Sequence, residues 1–291
     1  MSSHDTSVMD AAGEIAPGIV PRDLHFNISA HAQRHWFGGD PMQTAVIDSF
    51  SIFLPEGERF FIRSLKRYAK TVNDEALLAE IRGYAVQEAY HTREHEDYNR
   101  ALGNLGYDVE KMEGRVKRVL FDNDSARLNV AVTCAIEHLT ATFSVAMLSD
   151  RDVLFRDAAP AYRRLWTWHA LEELEHAAVA LNVYAKASEN RPGWETYLMR
   201  IFAMNSVLIP FFSILMLNIA SMAKTDGIRR GPRLWWRFLK VTWGHPGYLR
   251  LGFKSFMRYY SPWFDPSKTV DPELVEKGRA LLKSDMGEIP S

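Results

Sequence analysis

Two short motifs with the same spacing carry the residues best suited to chemistry in this sequence. Glu88 and His91 are three residues apart, and Glu173 and His176 repeat that spacing further along the chain. On an α-helix, residues three apart lie on one face, so each motif can direct a carboxylate and an imidazole at one metal ion. Two such helices can each serve one ion of a pair. The duplication therefore predicts a dinuclear metal site.

Two further glutamates complete the basic ligand pattern. Glu58 lies in the helical stretch before the first motif, and Glu137 lies in the otherwise apolar stretch 129–137. An isolated carboxylate in an apolar interior would lose so much solvation that it would protonate, so four facing glutamates require cations. Carboxylates and imidazoles, with Cys134 as the single thiol, favour two ions of iron, with manganese or zinc as alternatives.

Two histidines beside the motifs are candidates for further ligands. His169 lies one turn before Glu173 on the same helical face, and we include it in the predicted set, with a hydrogen-bonded supporting role as the alternative. His95 lies one turn after His91, but the glutamates on either side of it favour a position near solvent. The predicted metal ligands are Glu58, Glu88, His91, Glu137, His169, Glu173 and His176.

Other side chains near the motifs leave alternatives open. Glu172 and Glu175 compete with Glu173 for its role, and Glu172 is four residues from His176, a helical pairing distance. Cys134 is interpreted as small apolar filler, and His138 as a residue of helix packing because it points about 100° away from Glu137.

The elements that must position these residues are helices, since apolar residues recur at three- and four-residue spacing and two-residue alternation is nearly absent. Breaks are expected at Pro55–Gly57, at Gly103 to Gly106 and at Arg191–Gly193, because proline lacks a donor and glycine relaxes the backbone. The fold class is all-α. Helices are predicted over 42–54, 57–71, 74–103, 125–149, 157–188, 194–223, 231–259 and 271–284.

Composition and charge narrow the class of protein. With 47% hydrophobic residues among 291, the chain can bury a sizeable core. A formal net charge of -1 provides no global field to attract nucleic acid. A single cysteine, and an N-terminus without a basic and then apolar run, favour a cytoplasmic setting.

The C-terminal third has an unusual pattern. Residues 201–223 carry no charge, and between Lys224 and Arg258 there are nine Lys or Arg residues and only Asp226 on the acidic side. A peripheral membrane contact through 201–243, a membrane span, and a buried core or homodimer helix remain open. The expected organisation is a disordered leader over 1–20, a metal-binding bundle over 21–190, a helical extension packed on the bundle over 191–260, and a tail with a short helix over 261–291.

Four segments resemble a ferritin-like family of predicted metal-dependent hydrolases. They are Phe53–Phe61 (FLPEGERFF), Gln87–His91 (QEAYH), Ala135–Thr140 (AIEHLT) and Trp168–His176 (WHALEELEH). The resemblance spans about residues 25 to 260. It implies a ferritin-like four-helix bundle with additional C-terminal helices, and an enzyme that acts on a small-molecule substrate.

The order of the predicted ligands is also similar to that of the di-iron arylamine N-oxygenases, which implies a role for His169 as the extra imidazole. By this resemblance, the expected function is a di-iron enzyme that activates dioxygen, draws on an electron donor and oxidises a small, apolar substrate. A hydrolase that uses the two metals to activate water is the alternative. A ferroxidase or iron-handling protein is the second alternative, although the apolar 201–223 stretch argues against it.

Overall fold

Capping residues mark where the helices begin. A computed structural model describes residues 19–120, 123–265 and 270–287 of the chain. Asp40, Asp74 and Ser125 each accept a hydrogen bond from a backbone N–H of the first helical turn and so satisfy donors that a helix leaves unpaired. The helices are α1 (Pro41–Ala69), α2 (Glu75–Asn104), α3 (Val109–Val119), α4 (Ala126–Ser149), α5 (Arg151–Leu154), α6 (Pro160–His176), α7 (Val179–Ala187), α8 (Gly193–Thr225), α9 (Pro232–Trp243), α10 (Tyr248–Arg258) and α11 (Pro272–Met286).

The predicted all-α class is confirmed. Within the described ranges the regular elements are helical, and the one β contact is an isolated bridge between Phe37 and Ala158. Helices α1, α2, α4 and α6 form a core in which α1 and α6 each pack against both α2 and α4. Helix α8 covers α1 and α4, α10 covers α4, and α11 covers α6.

The N-terminal segment is tied to the core. Ile19 is buried, and residues 22–29 form hydrogen bonds with side chains of α2 and α6. The predicted disordered leader, 1–20, therefore extends too far, because Ile19 packs in the core. Residues 1–18 lie outside the described residues.

The predicted break at Pro55–Gly57 is wrong, because α1 continues through it. Pro55 has no backbone N–H, so the carbonyl of Ser51 loses its intrahelical partner. The side-chain amide of Asn99 on α2 donates to that carbonyl at 3.2 Å. A hydrogen bond from a neighbouring helix thus replaces the missing one.

Two predicted helices are divided. The helix expected over 157–188 is interrupted at Ala177 and Ala178, which keep right-handed dihedral angles; alanine favours helix, so their sequence carries no signal of it. The helix expected over 231–259 is divided at Gly244–Gly247. Gly247 has φ +65° and a Cβ there would lie 2.7 Å from the carbonyl oxygen of Thr242, so the turn requires glycine.

Candidate metal centre

The four core helices bring all seven predicted ligands into one buried region. Their exposed fractions lie between 0% and 3%. On a helix that carries more than one of them, successive predicted ligands lie three or four residues apart and therefore share the face that points into the core. Helix α1 carries Glu58, α2 carries Glu88 and His91, α4 carries Glu137, and α6 carries His169, Glu173 and His176.

The ligand atoms of these residues fall into three overlapping groups. In each group, one nitrogen or carboxylate oxygen per residue lies within 4.8 Å of the others. The overlap through Glu88 and His91 makes one extended cluster with room for more than one ion. The groups are Glu58 with His91 and His169; Glu88 with Glu137 and His176; and Glu88 with His91 and Glu173.

Many of these buried atoms have no hydrogen-bond partner in the structure. Both carboxylate oxygens of Glu58 and of Glu88 are unpartnered, as are both ring nitrogens of His91. Leaving a buried polar atom unpaired costs about 1–3 kcal/mol, and more for a charged group. So many orphaned atoms in one cluster fit metal ions, which would satisfy them together. Oxygen and nitrogen donors without a thiolate fit iron, manganese or zinc.

The carboxyl groups of the cluster have raised pKa values. Burial raises the pKa of Glu58 and of Glu88 well above the ordinary value, and repulsion from neighbouring carboxylates adds to the effect. Burial and the charge of Glu173 raise the pKa of Glu137 to about 8. Without bound cations, burial therefore favours the protonated form of these side chains.

The imidazoles divide into two kinds. Burial lowers the pKa of His91 and of His169 to about 3, so both rings are neutral and can donate a lone pair. Burial alone would lower the pKa of His176, but the adjacent Glu173 carboxylate raises it. Burial alone would likewise raise the pKa of Glu173, but His176 and the other imidazoles lower it to about 2. The ring nitrogen Nε2 of His176 lies 3.5 Å from Oε1 of Glu173.

Gln87 holds the ring of His176. Its side-chain oxygen lies 3.2 Å from Nδ1 of His176, and its amide nitrogen donates to Oε2 of Glu175 and to the carbonyl of Val20. Because the amide oxygen can only accept, Nδ1 of His176 carries the proton and Nε2 faces the other ligands. Gln87 lies on another helix, 89 residues from His176 in sequence. No local pattern indicates such a partner, and it was not predicted.

The expectation that His95 lies near solvent is wrong, because its side chain is fully buried. The helix α2 turns its ring inward between α1 and α6. Nδ1 of His95 lies 3.0 Å from the hydroxyl of Ser51, and Nε2 lies 3.3 Å from Nδ1 of His169. Glu94, whose charge suggested exposure, is itself buried and accepts from the backbone N–H of Phe26. His95 thus supports His169.

Glu172 lies beside His91, whereas its four-residue spacing from His176 allowed a pairing with that residue. Its Oε2 lies 3.2 Å from Nε2 of His91, while Oε1 accepts hydrogen bonds from the backbone and side chain of Arg22. Burial raises its pKa to about 7, against the opposing effect of Arg22. Glu175 binds Arg22 and Arg279, away from the cluster, so neither replaces Glu173 in the three groups.

Three further side chains around Glu137 have distinct roles. The phenol of Tyr84 donates to Oε1 of Glu137 at 2.5 Å, which leaves Oε2 toward His176; this contact was not predicted. Cys134 is buried and its thiol donates to the carbonyl of Ala180, in keeping with a filler residue. His138 packs against Tyr259, in keeping with helix packing.

An apolar cavity of about 410 Å³ is bordered by α1, α3, α4 and α8, and none of the seven predicted ligands is among its lining residues. Its walls include Leu54 and Phe61 of α1, which lie four residues before and three after Glu58 and so share its helical face. Thr140 of α4 lines the cavity three residues after Glu137. Helix α8 closes the other side with Pro210 and other apolar residues. The cavity therefore offers space for an apolar molecule against the two helices that carry Glu58 and Glu137.

Comparisons with known proteins place the chain in a family. One comparison with curated proteins and another with solved structures each found no match. The model of a family described as predicted metal-dependent hydrolase matches residues 20–269, a range that includes all seven residues of the cluster. The chain belongs to the family of predicted metal-dependent hydrolases.

Proposed function

We propose that this chain binds two metal ions at the seven-residue cluster and hydrolyses an ester or amide that carries an apolar group. The observation that carries the proposal is the concentration of unpartnered carboxylate oxygens and ring nitrogens in a fully buried cluster. Membership of a family described as metal-dependent hydrolases supports hydrolysis as the reaction.

The residues of the chain supply binding and orientation. When bound, a pair of metal ions polarises a substrate carbonyl and lowers the pKa of a water molecule. Glu58, Glu88, Glu137 and Glu173 provide the negative charge that holds the ions, and the neutral rings of His91 and His169 provide lone pairs. Gln87, which accepts from His176, and Tyr84, which donates to Glu137, hold these ligands in place. Fixed ligands keep the reacting groups in one geometry.

The cavity supports an apolar substrate. Its lining residues are mostly aliphatic and aromatic, with Thr140, Ser206 and Asn123 as the polar exceptions. A volume of about 410 Å³ lies within the range of small-molecule sites. Burying an apolar chain there would contribute binding free energy at about 25 cal/mol per Å². In this proposal, the scissile bond lies on the side of the cavity toward Glu58 and Glu137.

A second candidate is the activation of dioxygen by two iron ions with oxidation of an apolar substrate. The observation that favours it is the neutral third imidazole, His169, which lies within one group with Glu58 and His91. Nitrogen and oxygen donors in an apolar, buried setting suit iron. This reaction needs an electron donor, whereas hydrolysis needs none.

One set of measurements separates these reactions. The purified protein is loaded with zinc, manganese or, without oxygen, ferrous iron, and metal per chain is measured. Hydrolysis predicts turnover of p-nitrophenyl esters that requires metal and rises with acyl chain length. Stoichiometric oxygen uptake by the ferrous protein, without esterase turnover, would favour oxidation instead. Growth of a ferric mineral would favour iron handling and contradict both.

Matched variants connect the reaction to the cluster. Glu88→Gln keeps the size of the side chain but removes the charge that holds the ions, so we expect metal per chain to fall from two to one or none and turnover to be lost. Glu75→Gln makes the same change at an exposed position of the same helix and should change neither quantity. Full metal content and activity in Glu88→Gln would contradict the proposal.

A further inference from the structure

Helices α9 and α10 expose large apolar side chains in narrow stripes. On α9, Trp236, Leu239 and Trp243 follow at three- and four-residue spacing and are 69%, 47% and 45% exposed. On α10, Phe253 and Met257 are 49% and 46% exposed. The opposite faces of both helices are buried against the core. Each helix is therefore amphipathic, with an apolar stripe that no other described residue covers.

The apolar stripes of three helices meet. The rings of Trp243 and Phe253 lie 5.7 Å apart between centroids. These two residues line a cavity of about 500 Å³ together with Ile209 and Phe212 of α8, and Ile209 is 74% exposed. Large contiguous apolar patches on a protein surface mark interaction sites, and this surface has the features of one.

A basic stripe lies beside each apolar stripe. On α9, Arg233, Arg237 and Lys240 are exposed, and on α10, Arg250, Lys254 and Arg258 are exposed. By helical periodicity, each basic stripe adjoins the apolar stripe of its own helix. Arg237 pairs with Asp40, but among the described residues no carboxylate lies within ion-pair distance of the other five.

The single acid of the region does not balance this charge. Asp226, between α8 and α9, is nearly buried and is engaged by Arg34, His35 and Tyr107. The face formed by the exposed apolar and basic side chains of α9 and α10, with Ile209 and Phe212 of α8, is called here the basic apolar face. Apart from the pair of Arg237 with Asp40, its charge is uncompensated by neighbouring carboxylates within the described part of the chain.

We propose that the basic apolar face docks on the surface of a membrane that contains anionic lipid. Indole rings at the level of the headgroups, shallow apolar side chains and a flanking row of Lys and Arg are the features of helices that lie in a membrane interface. Each basic residue near an anionic membrane surface adds about 1 kcal/mol of attraction.

The same charges argue against a second copy of this chain as the partner. A two-fold interface places the same patch of both subunits together, so two faces of net positive charge would meet, which is unfavourable. An anionic lipid surface satisfies both the apolar and the basic side chains at once.

The face lies on the membrane rather than being part of a span. Helices α4 and α8 are both long and apolar enough to cross a bilayer by length and composition. However, α4 is largely buried in the core, and α8 packs one side against α1 and α4. Asn218 of α8 is buried and accepts a hydrogen bond from Arg115. These contacts hold α8 within the protein, with only its outer side exposed.

Sedimentation with lipid vesicles tests the proposal on the full chain. We expect the protein to sediment with vesicles of phosphatidylcholine and phosphatidylglycerol, to bind vesicles of phosphatidylcholine alone much more weakly, and to be released by salt. The double variant Arg250→Glu with Lys254→Glu should lower the partition coefficient by at least about 10-fold. Trp236→Ala with Trp243→Ala should lower it through the loss of apolar contact.

Controls make the result decisive. Lys66→Glu with Lys70→Glu reverses two exposed charges at the C-terminal end of α1 and should leave binding unchanged, and thermal melting confirms that each variant is folded. Equal binding to neutral and anionic vesicles, or equal loss in the α1 variant, would overturn the proposal. So would a protein that ignores vesicles but forms dimers that the two tryptophan substitutions dissociate.

Discussion

The side-chain amide of Asn99 donates a hydrogen bond to the backbone carbonyl of Ser51, 3.2 Å away. That carbonyl lacks its helical partner because Pro55, four residues later, has no N–H. Asn99 also accepts from the hydroxyl of Ser51 and donates to Glu113 of α3. One amide thus supports the helix that carries Glu58 and joins it to two others.

We expect Asn99→Ala to lower the free energy of unfolding by about 1–3 kcal/mol, because the carbonyl of Ser51 is then buried without a partner. In a Pro55→Ala background, a new backbone N–H can bond that carbonyl. The cost of Asn99→Ala should therefore be smaller there. Chemical denaturation of the two single variants and the double variant measures this coupling. Additive effects of the two substitutions would contradict the role assigned to Asn99.

The ring of His95 fixes the proton on His169. Ser51 donates its hydroxyl proton to Asn99, so it accepts from Nδ1 of His95. Nε2 of His95 then accepts from Nδ1 of His169. This order leaves Nε2 of His169 with a free lone pair, and that atom lies 3.4 Å from Oε1 of Glu173.

We expect His95→Phe to lower metal affinity by roughly 10- to 100-fold, as the loss of a partner that orients a ligand does. Competition with a chelator measures the affinity. His138→Phe is the matched control, since His138 is also a buried histidine but packs against Tyr259. An equal change in the two variants, or none in His95→Phe, would show that His95 does not orient His169.

Removing metal should destabilise the protein. Without a cation, burial and the neighbouring carboxylates disfavour the charged forms of Glu58, Glu88 and Glu137, and the free energy of metal binding is lost from the folded state. A metal that binds only the folded state, at 100 times its dissociation constant, stabilises the fold by about 2.7 kcal/mol per site. We expect a chelator to lower the melting temperature and added metal to restore it. In Glu88→Gln the dependence on metal should shrink, and an unchanged dependence would place the metal elsewhere.

Local patterns in the sequence were enough to predict the residues of the cluster. The spacing of Glu88 with His91 and of Glu173 with His176 is a property of one helix, so it could be recognised before any fold was known. Glu137 could be added because an acid within an apolar stretch of sequence needs a partner, and Glu58 because it lies in the helical stretch just before the first motif. The structure brings all of them into one cluster; their action as ligands stays a prediction.

Contacts between distant segments could not be predicted in this way. Arg22 binds Glu172 across 150 residues of sequence, and Gln87 reaches His176 across 89. The break expected at Pro55 failed for the same reason, because the rescuing amide of Asn99 comes from another helix. His95 was placed near solvent by its acidic neighbours, although one of these, Glu94, is itself buried against the N-terminal segment.

Asp48 links the stability of the fold to pH. Its side chain is buried and accepts hydrogen bonds from the indole of Trp36 and the phenol of Tyr98. Burial raises its pKa to about 7, although these two hydrogen bonds oppose the shift. An unfolded chain has an aspartate pKa of about 3.9. The folded state therefore binds this proton more tightly than the unfolded state.

The direction in which stability changes with pH follows from the linkage between proton binding and folding. The contribution of Asp48 to stability is fully present below about pH 4, is lost as pH rises toward about 7, and is level above that. Its full range is about 4 kcal/mol. Asp48→Asn keeps the accepting oxygen and cannot ionise. We expect the free energy of unfolding of the variant, minus that of the natural chain, to rise by up to this amount between about pH 4 and 7. Denaturation at a series of pH values measures it, and a difference that stays constant across the window would show that Asp48 remains ionised in the fold.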